Sequence, residues 1–301
     1  MLCRVNVAGR THYTIVLAIL ILTGILAGCA GNTTPTSLAQ PTPAIRSAFP
    51  VIPITAVDYG YIMPSTLDVR AGLVDIAMVD NGTQPHQTQI ARLKPGVTQQ
   101  QVIDEFITKR DQAAAFSLLT LVGGPDIVSP GYGQETILNL PAGNYVLLCL
   151  VVGQDGISHV DKGMIHFFTF EPAQTQGQEQ LPHADGTVSM KDGGYVLPGV
   201  IGQTRGLTLY VTNQGSEAHE FNVVKLAPGK SIQDITSFFQ TPSGPPPFEE
   251  EGGMAALVAG GSGWIKTHLE PGTYAAFSFI PDQRTGKPQL TQGMITQFTV
   301  H

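Results

Sequence analysis

Four stretches from the first half of the chain return, in the same order, in the second half. DYGYIMP (58–64) becomes DGGYVLP (192–198), and NGTQPHQTQIARLKPGVT (81–98) becomes QGSEAHEFNVVKLAPGKS (214–231). LPAGNYVLLC (140–149) becomes LEPGTYAAFS (269–278), and KGMIHFFTF (162–170) becomes QGMITQFTV (292–300). The offset drifts only from 134 to 129, so one unit of about 120 residues has been duplicated in tandem. Two copies are too few for a solenoid, in which each repeat relies on a run of neighbours for its core.

Within a copy the apolar residues follow the period of strands. LVDIAMVD and LTLYVTN alternate every second residue, as half-buried strands do, and YVLLCLVV is apolar on both faces, as a strand inside a sandwich is. One helical segment interrupts the pattern. Thr98 and Gln101 have the spacing of a capping box, and Val102, Ile103, Phe106 and Ile107 then recur at helical intervals. The second copy repeats this with Ser231, Ile235, Phe238 and Phe239. With 34 Gly and 22 Pro among 301 residues, and only 13% charged, the remainder is turns between short strands. The expected fold class is all-β: two tandem β-sandwiches, each with a helical insertion in a long crossover.

Arg4 and Arg10 precede the apolar run IVLAILILTGILAG, which has the layout of a signal peptide and ends at Cys29. LAGC (26–29) resembles the lipobox of bacterial lipoproteins, which implies cleavage before Cys29, acylation of its sulfur and a membrane as partner. The alternative is an uncleaved anchor, for which the run is short. The expected organisation is a lipoprotein signal peptide (1–28), a Thr/Pro/Ala-rich flexible tether (29–50), a first sandwich (51–171), a polar linker (172–186) and a second sandwich (187–301). The folded part is expected outside the cytoplasm, lipid-anchored. A net charge of −7 and scattered Lys and Arg argue against a nucleic-acid partner.

Three cysteines then sort themselves. Cys3 leaves with the signal, Cys29 carries lipid, and Cys149 is left with no intramolecular disulfide partner. A lone exported thiol is either buried and inert or bound to something. Cys149 falls in the series His86 (in DNGTQPHQ), Cys149, His159 and Gly163-Met164. That order resembles the cupredoxin family: a His after a turn, a Cys ending a late strand, a loop His, and a Gly-Met opening the last strand. The resemblance covers most of 51–171 and, more weakly, 187–300. It implies Greek-key sandwiches and one type 1 copper per chain, with His86, Cys149 and His159 as trigonal ligands and Met164 as the weak axial ligand. Thiolate, imidazole and thioether are the ligand types suited to a metal that alternates between Cu(I) and Cu(II). One departure is the nine residues between Cys149 and His159, LVVGQDGIS, where the family commonly has two to four.

The second copy places Ser278 opposite Cys149 and Gln289 near His159, while keeping His219 and Met294 opposite His86 and Met164. It is expected to hold no metal. Its persistent His and Met also leave a structural reading open for their counterparts. His166, His183 and His268 read as strand-surface, linker and turn residues; FEEEGG (248–253) reads as a solvated acidic loop. Asp155 and Asp161 flank His159, and one of them could accept its ring proton. The leading function is an anchored copper protein for electron transfer or copper handling, with a redox partner protein. The alternative is a metal-free structural or ligand-binding envelope lipoprotein. Copper oxidases and nitrite reductases of this family use His-X-His or His-Cys pairs, and neither occurs here. An enzyme is therefore not expected.

Overall fold

The computed structural model describes residues 49–65, 69–174, 180–241 and 244–301. The expected signal peptide, the lipidation site Cys29, the tether up to residue 48 and linker residues 175–179 lie outside the described residues. Among the described residues no helix is long and apolar enough to cross a membrane.

The described residues form an all-β fold, built on two sheets of eight strands. In the first half the strands are β1 (Val51–Val57), β2 (Gly60–Ile62), β3 (Gly72–Asp80), β4 (Gln89–Leu93), β5 (Leu119–Gly123), β6 (Gly133–Leu140), β7 (Gly143–Leu148) and β8 (Ile165–Phe170). In the second they are β9 (Gly186–Lys191), β10 (Gly194–Val196), β11 (Leu207–Asn213), β12 (His219–Leu226), β13 (Phe248–Leu257), β14 (Ser262–Thr267), β15 (Gly272–Phe277) and β16 (Ile295–Val300). One sheet has the order β10-β9-β11-β14-β6-β3-β1-β2, the other β16-β15-β12-β13-β5-β4-β7-β8. Each order reads the same from both ends once the halves are equated, so the halves are mates across a pseudo-two-fold axis.

The alternating segments pack as their period requires. LTLYVTN of β11 alternates buried and half-buried side chains along its length. Ile54, Ile76 and Leu138 from one sheet and Ile90, Tyr145 and Leu147 from the other meet in one core, which continues through Leu209, Phe221 and Ala276 of the second half. The helical insertion of the first half is not one helix. The expected capping box forms at Thr98 and Gln101, opening α1 (Gln99–Ile103). A π-helical turn (Asp104–Lys109) follows and stops at Arg110 in the left-handed region (φ 55°), before α2 (Gln112–Ser117) restarts under Asp111. Among the described residues of the second half, the matching insertion is one α-helix, α3 (Ile232–Gln240).

Both sheets run without a break from one half into the other. In one, Ile137, Thr136 and Glu135 of β6 pair with Trp264, Ile265 and Lys266 of β14. In the other, the strand edge from Val122 to Val128 lies antiparallel to β13, with Val122 opposite Leu257, Pro125 opposite Met254 and Val128 opposite Glu251. FEEEGG is therefore not the solvated loop its charge suggests; it is the first part of β13, and it joins the halves. A glycine on each side of the join explains how. Gly124 and Gly253 sit at φ +126° and +132°, and a Cβ on either would run into the backbone carbonyl of Thr88 or Phe221. The buried Gln89 side chain adds a clamp, donating to Gly123 O (3.2 Å) and Ala256 O (3.1 Å) and accepting from Ala256 N (2.8 Å).

Candidate metal centre

His86 is fixed before its ring is considered. Its backbone N–H donates to Val128 O (3.2 Å) and its carbonyl accepts from Val128 N (3.0 Å), just ahead of β4. The ring Nε2 lies 2.9 Å from Asp58 Oδ1, in the turn between β1 and β2. Asp58 also accepts from Thr83 N and Oγ1, and chiefly these bonds, with help from His86, hold its carboxyl down at about 2. A carboxylate at Nε2 places the ring hydrogen there, so the Nδ1 lone pair points elsewhere. Gly82 makes room for this pairing, because a side chain there would collide with the His86 ring and Asp58.

Cys149 lies one residue past β7, so the strand stops inside the apolar run YVLLCLVV (145–152) that reads as one continuous strand. Its N–H donates to Met164 O (3.3 Å), and its Sγ accepts from Gln87 N (3.4 Å). Burial pushes its thiol up to about 12. The nine-residue segment after it does not carry His159 away. Val152 pairs with Ser158, Gly153 N donates to Ile157 O (2.9 Å), and His159 N returns to Val151 O (2.8 Å). The extra residues are thus a closed hairpin, and the chain re-enters beside the point at which it left. His159 is fully buried, and that burial, followed by repulsion from His86, lowers its pKa to about 4, so the ring is neutral at pH 7.

Three donor atoms converge. His86 Nδ1 and His159 Nδ1 are 3.1 Å apart, Cys149 Sγ is 3.4 Å from His159 Nδ1, and it is 3.8 Å from His86 Nδ1. A triangle with these sides has its centre about 2.0 Å from each corner, close to the roughly 2.0–2.3 Å that nitrogen and sulfur ligands keep from a transition metal. His86, Cys149 and His159 are the one group of three or more His, Cys, Asp or Glu side chains among the described residues whose ligand atoms come this close together. His159 Nε2 is buried with no hydrogen-bond partner, so no second hydrogen bond fixes this ring's tautomer. The donor set and its spacing fit a copper ion. Met164 is fully buried and shares an apolar cluster with Cys149, Met78, Ala56 and Val128; its N–H donates to His159 O (2.9 Å).

Several side chains escaped the sequence reading. Asp155 does not serve His159; it pairs with Lys162 (2.8 Å). The residue bonded to the His86 ring is Asp58, and Tyr59 packs on His159, with ring centroids 5.1 Å apart. Both stand in DYGYIMP, and the repeat DGGYVLP marks the Asp of that turn as common to both halves. Gln87 was recognisable only as the neighbour of His86. His183 and His268 are exposed and His166 is half-buried.

The second half shows the same frame closed on itself. His219 Nε2 meets Asp192 Oδ1 at 2.9 Å, as His86 meets Asp58. Gln289 occupies the place of His159, with its Oε1 2.8 Å from His219 Nδ1 and accepting from Ser278 Oγ (2.7 Å). The Gln289 amide nitrogen donates to Ala218 O (3.0 Å), so every polar atom of the group has a partner.

No protein-family model matches the chain, and no curated protein does. Among solved structures it is similar to a multicopper oxidase (17% identity, 83% of this chain and 88% of that one, TM-score 0.24). It is also similar to an auracyanin from the photosynthetic bacterium Roseiflexus castenholzii (18% identity, 42% of this chain and 100% of that one, TM-score 0.28). A third is a copper nitrite reductase from Nitrosomonas europaea (12% identity, 83% and 93%, TM-score 0.24). Two of these are enzymes, and the expectation that the chain is not an enzyme is withdrawn.

Proposed function

We propose that the chain is an exported copper protein, tethered to a membrane through lipidated Cys29. It holds one copper in its first half through His86, Cys149 and His159, with Met164 as a weak axial ligand, and serves single-electron transfer with a partner protein or copper handling at the cell surface. The observation that carries this reading is the triangle of Nδ1, Nδ1 and Sγ, whose centre lies at ligand distance from all three corners. Bound copper would supply a one-electron change between Cu(I) and Cu(II). The chain's own residues do the rest. Asp58 keeps the hydrogen of His86 on Nε2, the Gln87 N–H faces the sulfur, and full burial of all three ligands keeps water out.

The test is a titration of the purified full chain with Cu(II). One equivalent should bind and give an intense visible thiolate-to-copper band, absent in Cys149→Ser. That variant should stay folded, because Ser278 already fills the matching position in the second half. A correctly folded protein that stays colourless at one equivalent overturns the reading.

A further inference from the structure

The turn between β1 and β2 treats the two histidines differently. Asp58 bonds His86, while its neighbour Tyr59 lies edge-on against His159, the ring planes 70° apart. His159 is wholly buried, with its Nε2 unpartnered, and the half-buried Tyr59 packs against both its ring and the cluster that holds Cys149 and Met164, so Tyr59 lies between the centre and solvent. That cover is clamped. The Tyr59 hydroxyl receives hydrogen bonds from Gln84 Nε2 (2.9 Å) and Lys162 Nζ (3.2 Å), and the Lys162 ammonium stands 4.3 Å from the ring centroid. Asp155 holds Lys162 from its other side, at 2.8 Å.

The second half shows that the fold itself does not require this cover. Asp58, Thr83, His86, Gly163 and Met164 have matching or near-matching residues there: Asp192, Ser216, His219, Gly293 and Met294. Tyr59, Gln84 and Lys162 correspond instead to Gly193, Glu217 and Gln292. The ring and both of its hydroxyl partners are present where Cys149 and His159 stand, and absent where Ser278 and Gln289 stand. Gly193 makes its turn at φ +84°, so the β9–β10 connection closes without an aromatic ring.

We propose that Tyr59 is the lid of the metal centre: reagents and metal ions reach Cys149 and His159 only when its ring swings out against the Gln84 and Lys162 clamp. This rests on reading the His86, Cys149 and His159 group as a metal site. Tyr59 acts as a positioning residue and not as a ligand. Two hydrogen bonds and a cation–π contact favour the closed state by on the order of tenfold or more in the opening equilibrium.

The experiment uses the full chain carrying Cys3→Ala and Cys29→Ala, so that Cys149 is the single thiol. In metal-free protein, the rate at which a small aromatic disulfide modifies Cys149 is compared among wild type, Tyr59→Phe, Tyr59→Gly and Lys162→Gln. Tyr59→Gly should react at least about tenfold faster, given the clamp it loses, with Tyr59→Phe and Lys162→Gln in between. In a second arm, Cu(II) capture and its release to a chelator should both accelerate by the same factor in Tyr59→Gly, leaving the equilibrium affinity close to wild type. A role in stability alone would not move the two rates together. Unchanged Cys149 reactivity in both Tyr59→Gly and Lys162→Gln, with wild-type circular dichroism, overturns the lid. Should Tyr59→Gly not fold, Lys162→Gln decides by the same criterion. A wild type that takes up no Cu(II) overturns the metal reading alone, because the thiol arm reports on Tyr59 without any metal.

Discussion

The residues that surround the donor triangle decide how well it can bind. The ordered types His, Cys, His and Met were visible in the sequence because each is chemically distinctive. Asp58 was not, since an aspartate in a Gly-rich turn has many uses and its distance to His86 depends on how two strands meet. Yet Asp58 accounts for the orientation of one proposed ligand: its carboxylate, held at about 2, accepts from His86 Nε2 and leaves Nδ1 free. Removing such a partner commonly costs 10–100-fold in metal affinity. Asp58→Ala should therefore weaken copper binding by on the order of tenfold to a hundredfold, measured by competition with a chelator of known affinity. Asp58→Asn, which keeps an acceptor oxygen, should lose less. An Asp58→Ala protein with wild-type affinity would mean that His86 is oriented by its backbone bonds to Val128 alone.

Element by element, the strands were the legible part. β11 alternates because one face is buried, and β7 is apolar on both faces because sheet and helical insertion cover it. The break of the first insertion at Arg110 was not legible, because a run of polar residues (108–112) fits an exposed helical turn as well as the left-handed stop that the backbone makes there. The loop after Cys149 was harder still: nine residues look too many until Val152 pairs with Ser158 and takes the excess out of the path. The matching elements of the second half hold Ser278 and Gln289 in the same frame, already bonded to each other and to His219. If the frame positions the ligands, two substitutions suffice to build a second centre. The double variant Ser278→Cys, Gln289→His should raise copper stoichiometry from one to two per chain and roughly double the visible band. Ser278→Cys alone should not, because Gln289 still occupies the third corner. A folded double variant that binds a single copper would show that the loop after residue 278, which differs from its counterpart, matters more than the frame.

The whole molecule is an internal pair whose join buries acids, and that join makes the fold sensitive to pH. Asp126 lies on the segment that pairs with β13; its Oδ1 accepts from Gln87 Nε2 (2.8 Å) and Ile127 N (2.9 Å), while its Oδ2 is buried without a partner. From the other half come Glu250, bonded to Asn222 Nδ2 (3.0 Å), and Glu220, bonded to the Phe279 N–H. Burial raises all three carboxyls, Asp126 to about 7, Glu250 to about 8 and Glu220 well above the usual range, and their mutual repulsion reinforces the shift for Glu220 and Glu250. A carboxyl raised on folding holds a proton in the native state that the unfolded chain has already released. Its stabilising contribution is therefore complete below the ordinary carboxylate range and is lost as pH rises towards the folded value. His159 runs the opposite way. Depressed to about 4, it destabilises the fold as pH falls below about 6.5 and contributes no slope above it. Cys149, raised to about 12, begins to act only above its ordinary value of 9.0. The interval from pH 6.5 to 8.5 thus isolates the acids. In metal-free protein the melting temperature should fall across that interval by on the order of 5 °C, read by calorimetry or circular dichroism. The isosteric double variant Asp126→Asn, Glu250→Gln keeps the acceptor oxygens, removes the charges, and should melt higher than wild type at pH 8.5 with a flatter profile. A wild type whose melting temperature is level or rising from pH 6.5 to 8.5 would mean that the join admits water, or that a cation from solution neutralises the acids. Repeating the scan in a buffer stripped of divalent ions separates those two outcomes, since only the second restores the fall.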